Sequence, residues 1–211
     1  MARTNAVWIA IILWAVFDCG QATGQQNVIV EGDWSKPVAD TRGCAVRGRL
    51  VLCEKLRGDE RREVGVYVEL QDARESVGGS MRIFCDFGKT DFRPEYKQGL
   101  QCEMLDKNKK PVPATSYPFG GAVPGSEWVT LPTHATIRLR ASPFGIHQPN
   151  AMAISPQLSQ LWVIGDDDHN EYFMSGRFTV DPNEGRNSIE DPHIWRGTID
   201  LPAIRIVNQR K

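Results

Sequence analysis

Strict alternation of apolar and polar residues recurs along this chain, and it leaves little room for helices. Val46, Gly48, Leu50 and Leu52 share one side of an extended segment, with Arg47 and Arg49 on the other. Val64, Val66, Val68 and Leu70 alternate with Gly65, Tyr67 and Glu69. Met81, Ile83, Cys85 and Phe87 repeat the pattern, as do Leu100, Cys102 and Met104. Ile137 and Leu139 alternate with Arg138 and Arg140, and Tyr172, Met174, Gly176, Phe178 and Val180 with Phe173, Ser175, Arg177 and Thr179. A short apolar run covers residues 161–164; Trp195, Gly197, Ile199 and Leu201 follow, and Ile204 and Ile206 close the chain. Successive side chains of a strand point to opposite faces, so each segment reads as a strand with one buried face. The long stretches without alternation, 88–99 and 141–157, carry Gly or Pro, which argues against crossover helices.

Turn signals separate these segments: Arg57-Gly58-Asp59-Glu60, Gly78-Gly79-Ser80, Asp106-Lys107-Asn108-Lys109-Lys110 before Pro111, and Asp181-Pro182-Asn183-Glu184-Gly185. Residues 113–124 hold Pro113, Pro118 and Pro124 and read as an irregular loop. Many short strands with such punctuation predict an all-β chain, a sandwich or barrel without βαβ units.

The N-terminus predicts export. Arg3 precedes an unbroken apolar run of 11 residues, 7–17. A bilayer-spanning helix takes about 20 apolar residues, so this run fits a signal peptide instead. Small residues Ala22 and Gly24 suit cleavage after Gly24, with cleavage after Ala22 as the alternative. Cys19 follows the charged Asp18, which does not suit lipid attachment, and is expected to leave with the signal. The expected organisation is a signal peptide over 1–24, a lead-in over 25–43 whose Trp34 docks on the domain, and a β-sandwich over 44–211. The mature chain would be periplasmic or extracellular, with no membrane span. Its net charge stays at -1, because Arg3 and Asp18 leave together, so no global field draws it to nucleic acid. An apolar share of 41% supports a packed core.

Export permits disulfides, and four cysteines remain: Cys44, Cys53, Cys85 and Cys102. Cys44 and Cys53 end one apparent strand, about 30 Å apart if it is continuous, whereas a bridge needs Cα atoms within about 7 Å. Cys85 and Cys102 lie in different strands, in phase with inward apolar residues, and are the expected pair. The alternative is four buried thiols. No Cys-x-x-Cys spacing suggests a metal.

Catalytic signatures do not emerge. His134, His147, His169 and His193 form no ligand spacing. Asp166, Asp167, Asp168 and Glu171 make a weak calcium candidate, because the cluster lacks the acid-x-acid-x-acid-Gly order; a polar hairpin loop is the plainer reading. No Gly-x-Ser-x-Gly elbow or phosphate-binding glycine loop is present, and Ser175 falls mid-strand. No catalytic residue and no cofactor are assigned. Arg47, Arg49, Arg138 and Arg140, with Arg61 and Arg62 in a turn, suggest either a carboxylate- or sulfate-binding face or a solvated face of salt bridges. Trp128 and Trp162 are the candidate platform for a glycan, with core packing as the alternative for both rings.

The segments Glu171-Tyr172-Phe173-Met174-Ser175-Gly176-Arg177-Phe178-Thr179-Val180 and Trp195-Arg196-Gly197-Thr198-Ile199-Asp200-Leu201-Pro202, with Trp34-Ser35-Lys36-Pro37-Val38 ahead of Arg47-Gly48-Arg49-Leu50, are distinctive together. Over most of the mature chain the sequence resembles an uncharacterised group of secreted planctomycete proteins with an immunoglobulin-like domain. The resemblance implies export and an antiparallel, immunoglobulin-like β-sandwich of about eight strands, and it carries no activity over. Trp195 is expected in the core, and Pro202 is expected to end pairing at an edge. The expected function is a non-catalytic binding or interaction module of unknown ligand, contacting an envelope or extracellular protein or glycan; the alternative is a hydrolase with an unrecognised site.

Overall fold

The computed structural model describes residues 26–56, 62–75, 78–87, 99–115, 126–142, 151–157, 160–165, 167–180 and 193–207. The expected signal segment 1–24, Arg61, His147 and Asp166 lie outside these.

Alternation becomes strand almost everywhere it was read. Among the described residues there are twelve strands and no helix: β1 (Gln26–Glu31), β2 (Val38–Ala39), β3 (Ala45–Leu56), β4 (Arg62–Asp72), β5 (Met81–Asp86), β6 (Gly99–Asp106), β7 (Ser126–Leu131), β8 (Thr136–Arg140), β9 (Ala151–Gln157), β10 (Gln160–Gly165), β11 (Glu171–Val180) and β12 (Gly197–Val207). All strand ladders are antiparallel. One sheet runs β1-β3-β4-β8 with β2 also on β3; a second runs β12-β11-β6; β9 pairs β10, and β5 pairs β7. The stretch read as a lead-in therefore supplies two strands of the largest sheet.

Two of the additional strands lacked a period-2 signal. β9 carries Met152, Ala153, Ile154, Ser155 and Pro156 in succession, all buried. A strand covered on both faces shows no alternation, so 141–157 read as loop. β7 places Trp128 and Val129 side by side, both half-buried.

The inward faces of the two larger sheets meet in one apolar cluster. Val46, Leu50, Leu52, Val66, Val68 and Leu70 contribute from one side, and Met104, Met174, Phe178, Ile199, Leu201 and Ile204 from the other. Contact is close at Gly48, where a Cβ would come within 2.8 Å of Leu201 Cδ2. Trp195 is fully buried, as expected, and its indole N–H donates to the Val38 carbonyl at 3.2 Å.

Pro202 corrects an expectation. It does not end pairing: the register on β11 shifts between Met174 and Gly176 opposite Leu201 and Ile204, and β12 continues to Val207. The extra residue forms a bulge on an edge strand, where a missing N–H is tolerated.

The turn after β6 forms as read. Asp106 Oδ1 accepts from the amides of Asn108 (2.7 Å) and Lys110 (2.9 Å), and Lys109 adopts φ 61°. At the other end of β6, Gly99 has φ 86°, and a Cβ there would lie 2.1 Å from the Asp86 carbonyl oxygen. Only glycine suits both the left-handed backbone and that approach.

The expected Cys85–Cys102 disulfide is not formed: Cys44, Cys53, Cys85 and Cys102 are all free and buried. Cys85 and Cys102 do enter the same core. Their strands, however, approach one another at Asp86 and Gly99. Cys102 lies three residues beyond Gly99, about 10 Å further along β6. Burial pushes both thiols well above the ordinary thiol range.

Candidate functional site

The outward face of the five-stranded sheet gathers most of the arginines singled out from the sequence. Odd-numbered residues of β3 point away from the core, and their register partners on β4 and β8 do the same. Three cross-strand rows result: Arg47–Gln71–Thr136, Arg49–Glu69–Arg138 and Val51–Tyr67–Arg140. Glu31 of β1 and the indole of Trp34 adjoin them from the N-terminal side.

The middle row is a closed ring of charge. Arg49 Nε donates to Glu69 Oε2 at 2.6 Å, and Arg138 reaches Glu69 Oε1 with Nε at 2.8 Å and Nη2 at 2.6 Å. Glu31 closes the circuit, 3.0 Å from Arg49 and 3.5 Å from Arg138. Glu69 is buried, and the arginine stems on either side shield it from water. Arg138 Nη1 also donates to Cys53 Sγ at 3.7 Å. Burial raises the Cys53 thiol pKa, against the opposing pull of the Arg138 charge.

Burial grades along the face. Val51, Cys53 and Tyr67 are buried at one end; Trp34, Arg47, Gln71 and Thr136 are half-buried at the other. At this more open end the Arg47 and Arg49 guanidinium carbons sit 5.1 and 4.7 Å from the Trp34 ring centroid. Such stacking holds the guanidinium planes without spending their edge hydrogens. Trp34 thus docks as expected, and its aromatic–cation cluster with Arg47 and Arg49 was missed. Sequence distance conceals it, and a Trp ahead of an Arg-x-Arg strand is the signal that could have found it.

Other candidate residues are dispersed. Trp162 is buried, with its N–H donating to the Val112 carbonyl at 2.9 Å, so it takes the core-packing alternative. Trp128 is half-buried; Phe84 packs 5.1 Å away at 53°, and Arg82 covers the ring at 4.8 Å. The two tryptophans therefore form no shared platform.

Asp168 and Glu171 of the calcium candidate are engaged internally. Asp168 accepts from the Tyr172 hydroxyl at 2.6 Å and from the Asn170 amide at 2.9 Å, and these bonds hold its carboxyl below the ordinary range. Glu171 pairs with Arg205 across β11 and β12. Among the described residues, no group of three or more His, Cys, Asp or Glu side chains is placed to hold a metal ion. Ser175 lies mid-strand on β11, hydrogen-bonded to Glu103 at 3.1 Å. No helix among the described residues is long and apolar enough to cross a membrane.

Comparison of the chain with protein-family models, with curated proteins and with solved structures finds no match.

Proposed function

We propose that this chain is an exported, non-catalytic binding module on an immunoglobulin-like β-sandwich, related to the secreted planctomycete group it resembles. Its contact surface is the open end of the arginine face, and its partner is a glycan of the envelope or extracellular space. One observation carries this reading: Trp34, Arg47 and Arg49 form a stacked aromatic–cation cluster at the half-buried end of the five-stranded sheet. Trp offers a flat apolar face and Arg a planar fork of donors, and a cluster held by the fold loses little ordering entropy on binding. Export rests on the 11-residue apolar run behind Arg3.

The reading is tested by equilibrium binding of the purified mature chain to soluble neutral and acidic polysaccharides. Binding is expected, with at least a tenfold loss in Trp34→Ala. Release of reducing ends from any of these polymers would overturn the reading in favour of a hydrolase. Mass spectrometry of the secreted protein should place the mature N-terminus near residue 25; an intact Met1 end on cytoplasmic protein would overturn export.

A further inference from the structure

The two adjacent arginine rows differ in what they have left to offer. In the ring of Arg49, Glu69, Arg138 and Glu31, two positive charges meet two negative ones, and the ring is internally neutral. The neighbouring row holds Arg47 with no carboxylate. Arg47 Nε donates to Gln71 Oε1 at 2.6 Å, which fixes the amide orientation, because a guanidinium has only donors. Gln71 Nε2 then donates to Thr136 Oγ1 at 3.0 Å. What the row retains is hydrogen: both Nη groups of Arg47, the second Nε2 hydrogen of Gln71 and the hydroxyl proton of Thr136. The donors span three strands, about 10 Å.

From this row we infer an oxyanion subsite, with the Nη edge of Arg47 gripping a carboxylate or sulfate of an acidic polysaccharide. The inference deepens the binding-module reading and rests on it. A guanidinium fixed through Nε and stacked on Trp34 presents its two Nη groups as a fork, the geometry that planar and tetrahedral oxyanions accept in bidentate fashion. Gln71 and Thr136 add donors for further oxygens along the chain of sugars. The same face favours a glycan over a protein: its open end carries one indole and otherwise polar groups. Val28 and Val163 are the large hydrophobic side chains exposed among the described residues, and neither belongs to the Arg47 row. A protein interface normally buries an apolar core, and here the Trp34 indole alone would supply it.

Two measurements test the subsite. Titration with inorganic sulfate, followed by NMR of the Arg Nε–H and Trp34 indole resonances, should move the Arg47 and Trp34 signals, and Arg47→Gln should abolish the response. Binding of dextran sulfate, polygalacturonate, neutral dextran and poly-glutamate should then rank both acidic polysaccharides at least tenfold above dextran. The relative strengths of the first two separate sulfate from carboxylate. Arg47→Gln should lose at least tenfold, Arg47→Lys less, and Arg205→Gln on the other sheet almost nothing, with all three melting alike. Equal losses in Arg47→Gln and Arg205→Gln would reduce the effect to net charge and overturn the subsite. Poly-glutamate binding as tightly as the polysaccharides would overturn the assignment to a glycan. Sulfate moving Arg47 while no polymer binds would overturn the module and leave the subsite; polymer binding indifferent to Arg47 would do the reverse.

Discussion

Two sheets of this molecule carry arginine–carboxylate pairs on their outward faces, and the pairs share little beyond their chemistry. On the five-stranded sheet, Glu69 is 1% exposed and its arginines 17% and 16%. On the three-stranded sheet, Arg177 and Asp200 are 61% and 77% exposed, though only 2.8 Å apart. The difference follows from which partner occupies the interior strand. Glu69 lies on β4 between β3 and β8, so a long arginine covers it from each side. Asp200 lies on β12, an edge strand, and the interior position on β11 belongs to Arg177. A short acid between two long bases is sealed; a short acid at an edge faces water. The same cross-strand pairing, an arginine one strand from an acid, thus gives a sealed charged ring in one place and a solvated pair in the other.

Glu69→Gln acts on the sealed acid itself. Removing one partner of a buried ion pair leaves uncompensated charge and costs about 3–5 kcal/mol. Here two arginines lose their shared acid, with Glu31 as the remaining one. Urea unfolding should show a midpoint shift of that size at unchanged slope. A loss below about 1 kcal/mol would mean that water reaches Glu69 and that the two faces are energetically alike.

The sequence made the sheets legible but not their neighbours. Alternation at 46–52, 64–70, 100–104 and 172–180 reported which side chains enter the core, because one face of each strand is apolar. It also placed Arg47, Arg49, Arg138 and Arg140 on one side of their strands. It could not report that Arg138 lies beside Glu69, which is 69 residues earlier, since register comes from long-range pairing. The same gap explains the cysteines. Phase put Cys85 and Cys102 in a common core, while their strands, whose relative placement is invisible in one sequence, meet at Asp86 and Gly99 and leave Cys102 further along β6. β9 was lost for another reason: burial on both faces removes the period that reveals a strand.

Cys53 reports on the buried end of the same arginine face. It is a thiol on an outward face, yet buried. Burial raises its pKa, with Arg138 pulling the other way. The sign follows from linkage. A thiol whose folded pKa is raised binds its proton more tightly in the folded chain. Its stabilising effect is complete below the unfolded pKa of about 8.5 and is lost as pH rises toward the folded value. Across that window each such thiol removes up to about 1.4 kcal/mol per pH unit. Melting temperature should therefore fall between pH 8 and 10, and Cys53→Ser should soften the fall. If Cys53→Ser melts in parallel with the parent from pH 7 to 10, the thiol is solvated and the face is open where Cys53 sits.

Arg177→Ala, on the solvated pair of the other sheet, should barely register. Its pairing with Asp200 has good geometry, and Asp200 raises the Arg177 pKa by hydrogen bond and charge. Geometry alone would rank it beside the Glu69 contacts. Exposure decides otherwise: both groups are well hydrated when apart, salt screens them, and fixing two side chains costs rotamer entropy. Loss of the arginine leaves Asp200 in water, with no buried charge behind. The midpoint of unfolding should not move measurably, at low salt or high. Adding this substitution to Glu69→Gln should leave the cost of the latter unchanged, because the pairs lie on opposite outward faces and share no partner. A loss in Arg177→Ala comparable to that of Glu69→Gln would show that pair geometry, and not burial of the acid between two arginines, sets the worth of these contacts. The ring around Glu69 would then lose its claim to be the rigid part of the arginine face.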